Sequence, residues 1–197
     1  MKNMPLSDKL DFRDPQNVSE FTQQIYNNML RDEVNGMVDH EYLAKVQTEI
    51  KDTSRAFLIE WIIDVHRKFK LVPEALYVTV FLLDQYMSKK HITKTQLQLL
   101  GVTTLWIAAK YEEIYPPELQ DFLLVSENKF TGKEVIEMEK EILATMNFMI
   151  TVPSAFRFLQ RYRRLSGVLN NDEVFYYAWY ILEICLLDAS LLRFKPS

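Results

Sequence analysis

Between Leu97 and Ala109 the chain offers almost no polar side: Leu97, Leu99, Leu100, Val102, Leu105, Trp106, Ile107, Ala108 and Ala109 cover the whole turn of a helix predicted from about Thr95 to Lys110. A helix without a polar face must be enclosed, and Gly101, Ala108 and Ala109 leave room for close neighbours. No apolar run reaches the roughly 18 residues of a membrane span, so the enclosure has to be protein. With 4 glycines and 7 prolines in 197 residues, the many tight turns of a sandwich or barrel would lack their residues, whereas 48% hydrophobic residues can fill a sizeable core. The pattern predicts an all-α bundle wrapped around one central helix.

Helical periodicity supplies the wrapping. Phe21, Ile25 and Met29 recur every fourth residue after Val18 and predict a short helix with a narrow apolar stripe, followed by a linker from Gly36 to Glu49. Asp52 or Thr53 is the expected N-cap of a helix to about Phe69, with Phe57, Leu58, Trp61, Ile62, Val65 and Phe69 on one stripe. Pro73 opens the next, carrying Leu76, Val80, Leu83 and Met87. Pro116 and Pro117 end the central helix and introduce a short one with Leu119, Phe122 and Leu123; Thr131 and Glu134 form a capping box before Val135, Met138, Ile142 and Met146. A sixth helix after Pro153, with Phe158, Leu159, Tyr162 and Leu165 on one side, is expected to stop at Gly167. A seventh, capped by Asn171, runs to about Leu187. Residues 1–17 lack periodicity and read as a flexible leader ordered by contact.

Catalytic chemistry finds no support in these residues. His40, His66 and His91 lie in separate segments without ligand partners at metal-binding spacing, and the four glycines stand alone, so neither a metal site nor a phosphate loop is expected, and no cofactor is called for. Glu112 beside Glu113, and Glu60 with Asp64, read as solvated carboxylates. The net charge of −4 and the lack of a basic tract oppose a nucleic-acid surface, and Arg157, Arg161, Arg163 and Arg164 read as the solvated face of an amphipathic helix. Cys185, in Ile184-Cys185-Leu186-Leu187, reads as a core thiol of a reducing compartment, and without a signal-like N-terminus the chain is expected to be soluble and intracellular.

Three segments carry a resemblance. Ser54-Arg55-Ala56-Phe57-Leu58-Ile59-Glu60-Trp61, Lys110-Tyr111-Glu112-Glu113-Ile114-Tyr115-Pro116-Pro117-Glu118, and Met138-Glu139 stand in the order and spacing of the cyclin box, with the A/B mitotic type most similar. The resemblance implies a leader (1–17), an N-terminal helix with its linker (18–50), a five-helix cyclin box (51–150) and the first two helices of a second, truncated box (151–197). It implies a regulatory subunit, not an enzyme, that binds and activates a cyclin-dependent protein kinase in cell-cycle control and resides in nucleus and cytoplasm. The alternative within the fold is a transcription-type or general-factor adaptor for nucleic acid, which the acidic balance opposes.

By the same resemblance Lys110 and Glu139 contact the kinase, although their residue types alone read as an ordinary surface ion pair. Tyr111, Leu143, Phe148 and Ile150 surround them, with Phe21 and Ile25 as a second strip; Leu143 alone reads as core, while Phe148 and Ile150, past the helix, are the candidates for exposure. Many cyclins also dock Arg-x-Leu segments of substrates and inhibitors in a shallow groove, matched here by Ser54, Phe57, Leu58, Trp61, Asp64, Lys94 and Gln98. Ser54 replaces the usual methionine and Phe57 a small aliphatic residue, so the floor of that groove is altered. Trp61 is expected to be partly exposed, flanked on the surface by Leu58 and Gln98.

Overall fold

The computed structural model describes residues 8–9, 18–166 and 172–197, and among these there are helices and no strand. They are α1 (Thr22–Asp32), a 3-10 turn (Glu33–Gly36), α2 (Tyr42–Lys45), α3 (Asp52–Phe69), α4 (Pro73–Lys89), α5 (Lys94–Glu112), α6 (Leu119–Val125), α7 (Gly132–Thr145), α8 (Ala155–Leu165), α9 (Asp172–Cys185) and a second 3-10 turn (Ala189–Arg193). The expected stops and caps at Gly167 and Asn171 lie outside the described residues, as does nearly all of the leader.

α5 is the enclosed helix. It packs against α3, α4, α6 and α7 at once, and Leu100, Val102, Leu105, Ala108 and Ala109 are fully buried. Gly101 is where α3 comes closest: a Cβ there would meet Leu58 Cδ1 at 2.7 Å. Around α5 lie Ile59 and Ile62 of α3, Leu76, Leu82, Leu83 and Met87 of α4, Phe122 of α6, and Val135 and Ile142 of α7. Each such side chain contributes about 1.5–3 kcal/mol relative to exposure, against the entropy of ordering the chain. The boundaries follow local chemistry. Pro73 sits in the first turn of α4, and α3 ends with Lys70 in the left-handed region (φ 54°), where the Lys70 and Leu71 amides donate to the Arg67 and His66 carbonyls. α7 opens with the expected box: the Thr131 amide donates to Glu134 Oε2 (2.7 Å), and the Glu134 amide to Thr131 Oγ1 (3.3 Å).

An ion pair lies inside the hydrophobic bundle. Arg55 Nε and Nη2 donate to the two oxygens of Asp84, each at 2.7 Å, and both side chains are almost wholly buried. The Tyr42 hydroxyl donates to the same carboxylate (2.7 Å), and Arg55 Nη1 donates to the Leu186 carbonyl (2.9 Å), so one cluster joins α2, α3, α4 and the segment after α9. Burial, the largest influence, pushes the Arg55 guanidinium down; the Asp84 carboxylate beside it outweighs that and holds it above its ordinary value. Burial and the same carboxylate push the Tyr42 hydroxyl up.

Four expectations are corrected. The stretch 36–49 is not a plain linker: Tyr42, Leu43 and Gln47 are buried, and Gln47 Nε2 donates to the Met87 (2.6 Å) and Lys90 (2.7 Å) carbonyls. A four-residue helix offers no periodicity, and its partners lie some forty residues away. α3 begins at Asp52 itself, with Lys51 in the cap position. The basic cluster of α8 is not wholly solvated, because Arg161 is buried against Asp8. Cys185 is half-buried, because α9 is held along one side only: Phe175 and Trp179 pack on Phe156, and no residue of α9 is fully buried.

His66 carries a pH dependence. Its Nε2 lies 2.9 Å from the Val72 carbonyl, and burial, opposed by that bond and by Glu183 and Glu113, holds the imidazole below its ordinary value. The unfolded chain therefore binds this proton more readily, so the stability is fully present above about pH 6.5 and is lost as pH falls below it. A Tm series from about pH 7.5 to about pH 5 is expected to fall more steeply for the native chain than for His66→Gln; parallel slopes would refute this.

Candidate partner-binding surface

The last turn of α5 and the middle of α7 bring Lys110 and Glu139 together. Lys110 Nζ donates to Glu139 Oε1 and sits 3.4 Å from the centre of the Trp106 ring, one turn earlier on α5. The Lys110 side chain is 36% exposed and that of Glu139 16%, so the pair is desolvated on its protein side and open outward. An ammonium has three donors and a carboxylate two acceptor oxygens, so both retain capacity toward a partner's carbonyls and amides.

Apolar surface adjoins the pair in sequence on both helices. Tyr111 is exposed, and its hydroxyl hydrogen-bonds that of Thr151, tying the end of α5 to the connection between α7 and α8. After α7 the backbone turns through two consecutive left-handed residues, Asn147 (φ 49°) and Phe148 (φ 59°), secured by the Phe148 amide donating to the Leu143 carbonyl (2.9 Å). Such conformations cost about 1–2 kcal/mol per residue. The result is a Phe148 side chain 73% exposed, with Met149 also outward. Leu143 and Ile150 are both half-buried and pack against the core, so of the two candidates for exposure Phe148 alone stands free. Phe21 and Ile25 are exposed on a separate element, α1, and the turn that leads into it. Sequence reasoning gave no role to Ile114 (86% exposed) and Tyr115 (91%), which project between α5 and Pro116; two large apolar residues just before a Pro-Pro step were the available signal. Their neighbour Glu113 is structural: its Oε1 accepts the Val72 amide (2.6 Å) at the start of α4.

The second set divides. Trp61 and Gln98 are half-exposed, Ser54 is half-buried, and Asp64 and Lys94 are exposed. Leu58 corrects the expectation of a surface flank: it is buried against Gly101, because the close α3–α5 approach draws it inward. Phe57 stands 70% exposed instead of flooring a groove.

A cleft of about 790 Å³ opens behind α4, walled by Tyr77, Phe81, Glu112, Val152, Cys185 and Leu186 among others. Burial pushes the Glu112 carboxyl up, with Arg157 opposing and Glu74 reinforcing. Among the described residues no group of three His, Cys, Asp or Glu could hold a metal ion, and no helix is long and apolar enough to cross a membrane.

The family models for the cyclin N-terminal and C-terminal domains match residues 24–151 and 153–197. The chain belongs to the cyclin family. It is 36% identical over 190 residues to a G2/mitotic-specific cyclin-B of Arbacia punctulata, covering 96% of this chain and 46% of that protein. With Cyclin-A2-1 of Arabidopsis thaliana it shares 38% over 188 residues, 94% of this chain and 42% of the relative. This cyclin chain thus spans under half the length of those relatives. A viral cyclin from herpesvirus saimiri has the same fold, with a TM-score of 0.77 at 24% identity over 87% of this chain and 75% of that one.

Proposed function

We propose that this cyclin chain is the regulatory subunit of a cyclin-dependent protein kinase acting in mitotic cell-cycle control, in nucleus and cytoplasm. The observation that carries the reading is the partly exposed Lys110–Glu139 pair, with Tyr111 next to Lys110 and the strained, outward Phe148 following the helix of Glu139. A pair of this kind satisfies the backbone polar groups of a docked element while the aromatic residues supply buried area. Seated there, the kinase's regulatory helix and activation loop are biased inward, which assembles its own Lys–Glu pair and magnesium site. The cyclin contributes binding energy, and the phosphoryl-transfer chemistry stays with the kinase. Phe21 and Ile25 supply a second contact strip. Calorimetric titration of the chain into an isolated cyclin-dependent kinase is expected to give saturable one-to-one binding; no heat at micromolar concentrations would sink the reading.

The same proposal includes substrate docking over the outer face of α3. With Leu58 withdrawn and Phe57 raised, Trp61, Phe57 and Gln98 offer a shallow apolar step with acidic Asp64 on the same helix as Trp61, suited to weak capture of an Arg-x-Leu peptide. The expected dissociation constant is near about 1 mM, corresponding to roughly −4 kcal/mol, and Trp61→Ala should abolish the binding. Equal binding by Trp61→Ala in a fluorescence-polarisation titration would move the docking site elsewhere.

A further inference from the structure

The N-terminal helix of this cyclin is weakly held for an element that carries a contact strip. α1 has no fully buried residue, and Phe21, Ile25 and Leu30 are exposed. It is held at its C-terminal end by the adjoining Glu33, buried and accepting from the Ser197 amide (3.0 Å) and hydroxyl (3.2 Å), and along its length by Tyr26, whose ring meets Phe158 of α8 edge-on at 6.1 Å and lies 6.0 Å from the Arg161 guanidinium. A hydrogen bond with Tyr26 also holds the Tyr162 hydroxyl up, at about 12. All three partners of Tyr26 belong to one surface of α8.

The same surface receives Asp8. Arg161 Nη1 and Nη2 donate to the two oxygens of Asp8 at 2.6 and 2.8 Å, a bidentate pair bridging 153 positions, with the side chains 8% and 4% exposed. Among the described residues Arg161 Nε has no partner, so the hydrogen bonds of this guanidinium go to Asp8. A guanidinium buried this deeply is tolerated because the carboxylate accompanies it; without that partner it would be drawn toward water. Moving Arg161 would disturb the Tyr26 ring beside it, the contact that seats the middle of α1 on α8.

We propose that Asp8 and Arg161 form a latch that positions the N-terminal helix, so that Asp8 sets how Phe21 and Ile25 are presented to the partner. Asp8 and Arg161 are positioning residues: they act through Tyr26 and touch no partner themselves. The part concerning the strip rests on the kinase-binding reading; the part concerning the helix does not.

Hydrogen–deuterium exchange on the full chain, with kinase titration beside it, separates these parts. Asp8→Asn keeps the shape and removes the charge, Arg161→Lys keeps the charge and loses the fork, and Asp8→Glu keeps charge and fork. The Asp8→Asn and Arg161→Lys variants are expected to exchange residues 22–32 at least about tenfold faster than the native chain, with Asp8→Glu near native and the amides of 100–109 unchanged. Kinase affinity should fall severalfold in the same two variants and recover in Asp8→Glu. Unchanged exchange over 22–32 overturns the latch, and lost protection at 100–109 overturns it too, by making the pair a general support of the fold. Faster exchange over 22–32 with native kinase affinity overturns the link to the strip. Should the native chain bind no kinase, the functional reading fails while the exchange arm still decides whether the latch exists.

Discussion

Asp84→Ala is expected to lower the unfolding free energy by about 3–5 kcal/mol. The substitution strands Arg55, almost fully buried, without its carboxylate and leaves the Tyr42 hydroxyl unpaired, both at the junction of α2, α3, α4 and the segment after α9. Replacing both charges, as in Arg55→Met with Asp84→Leu, should cost far less, because neither charge then remains desolvated; such double replacements are often near neutral. The comparison is made by denaturant unfolding, with the midpoint and slope followed separately. A loss of under about 1 kcal/mol in Asp84→Ala would mean that water reaches the stranded guanidinium and that the cluster does not hold the bundle together.

The second large effect is on binding. Lys110→Ala and Glu139→Ala are each expected to weaken kinase binding by about 2–4 kcal/mol, or roughly 30- to 1000-fold. Removing one side chain deprives the partner's backbone group of its mate and leaves the other charge at the interface unpaired. In the free chain the pair is partly open to solvent, so its loss should shift Tm by no more than about 2 °C. Phe148→Ala should weaken binding as well and should not destabilise the free chain, since its side chain packs little there.

The fold was legible wherever the signal was local. An apolar segment with no polar face announced α5, Pro73 announced the start of α4, and Thr131 with Glu134 announced that of α7. What escaped was long-range pairing of polar groups. Arg161 reads on its own helix as part of a solvated face until Asp8 is placed beside it, and nothing within α3 points to Asp84, 29 residues on, as the partner of Arg55. Tyr42 and Gln47 looked like linker residues because their partners come from α4 and its end. Around the candidate site it was the resemblance that gave Lys110, Tyr111 and Glu139, since the residue types of Lys110 and Glu139 alone read as an ordinary surface ion pair. Of the left-handed pair that turns Phe148 outward, Asn147 is a residue type that tolerates this region, whereas nothing in the sequence marks Phe148 for it. Leu58 was legible as a stripe residue of α3, and it was the groove implied by the resemblance that set it on the surface; the missing side chain at Gly101, on another helix, is what draws it inward.

Under the proposed function this cyclin chain switches a kinase on through the surface around Lys110 and Glu139. The most direct measurement follows phosphorylation of a histone-type substrate by a cyclin-dependent kinase as the chain is titrated in, with Lys110→Ala run alongside. Activity is expected to rise with the native chain and saturate at one equivalent, Lys110→Ala to shift the curve to at least about 30-fold higher concentration, and the chain without kinase to phosphorylate nothing. A kinase rate unchanged at saturating native chain, or identical curves for the native chain and Lys110→Ala, would contradict that function.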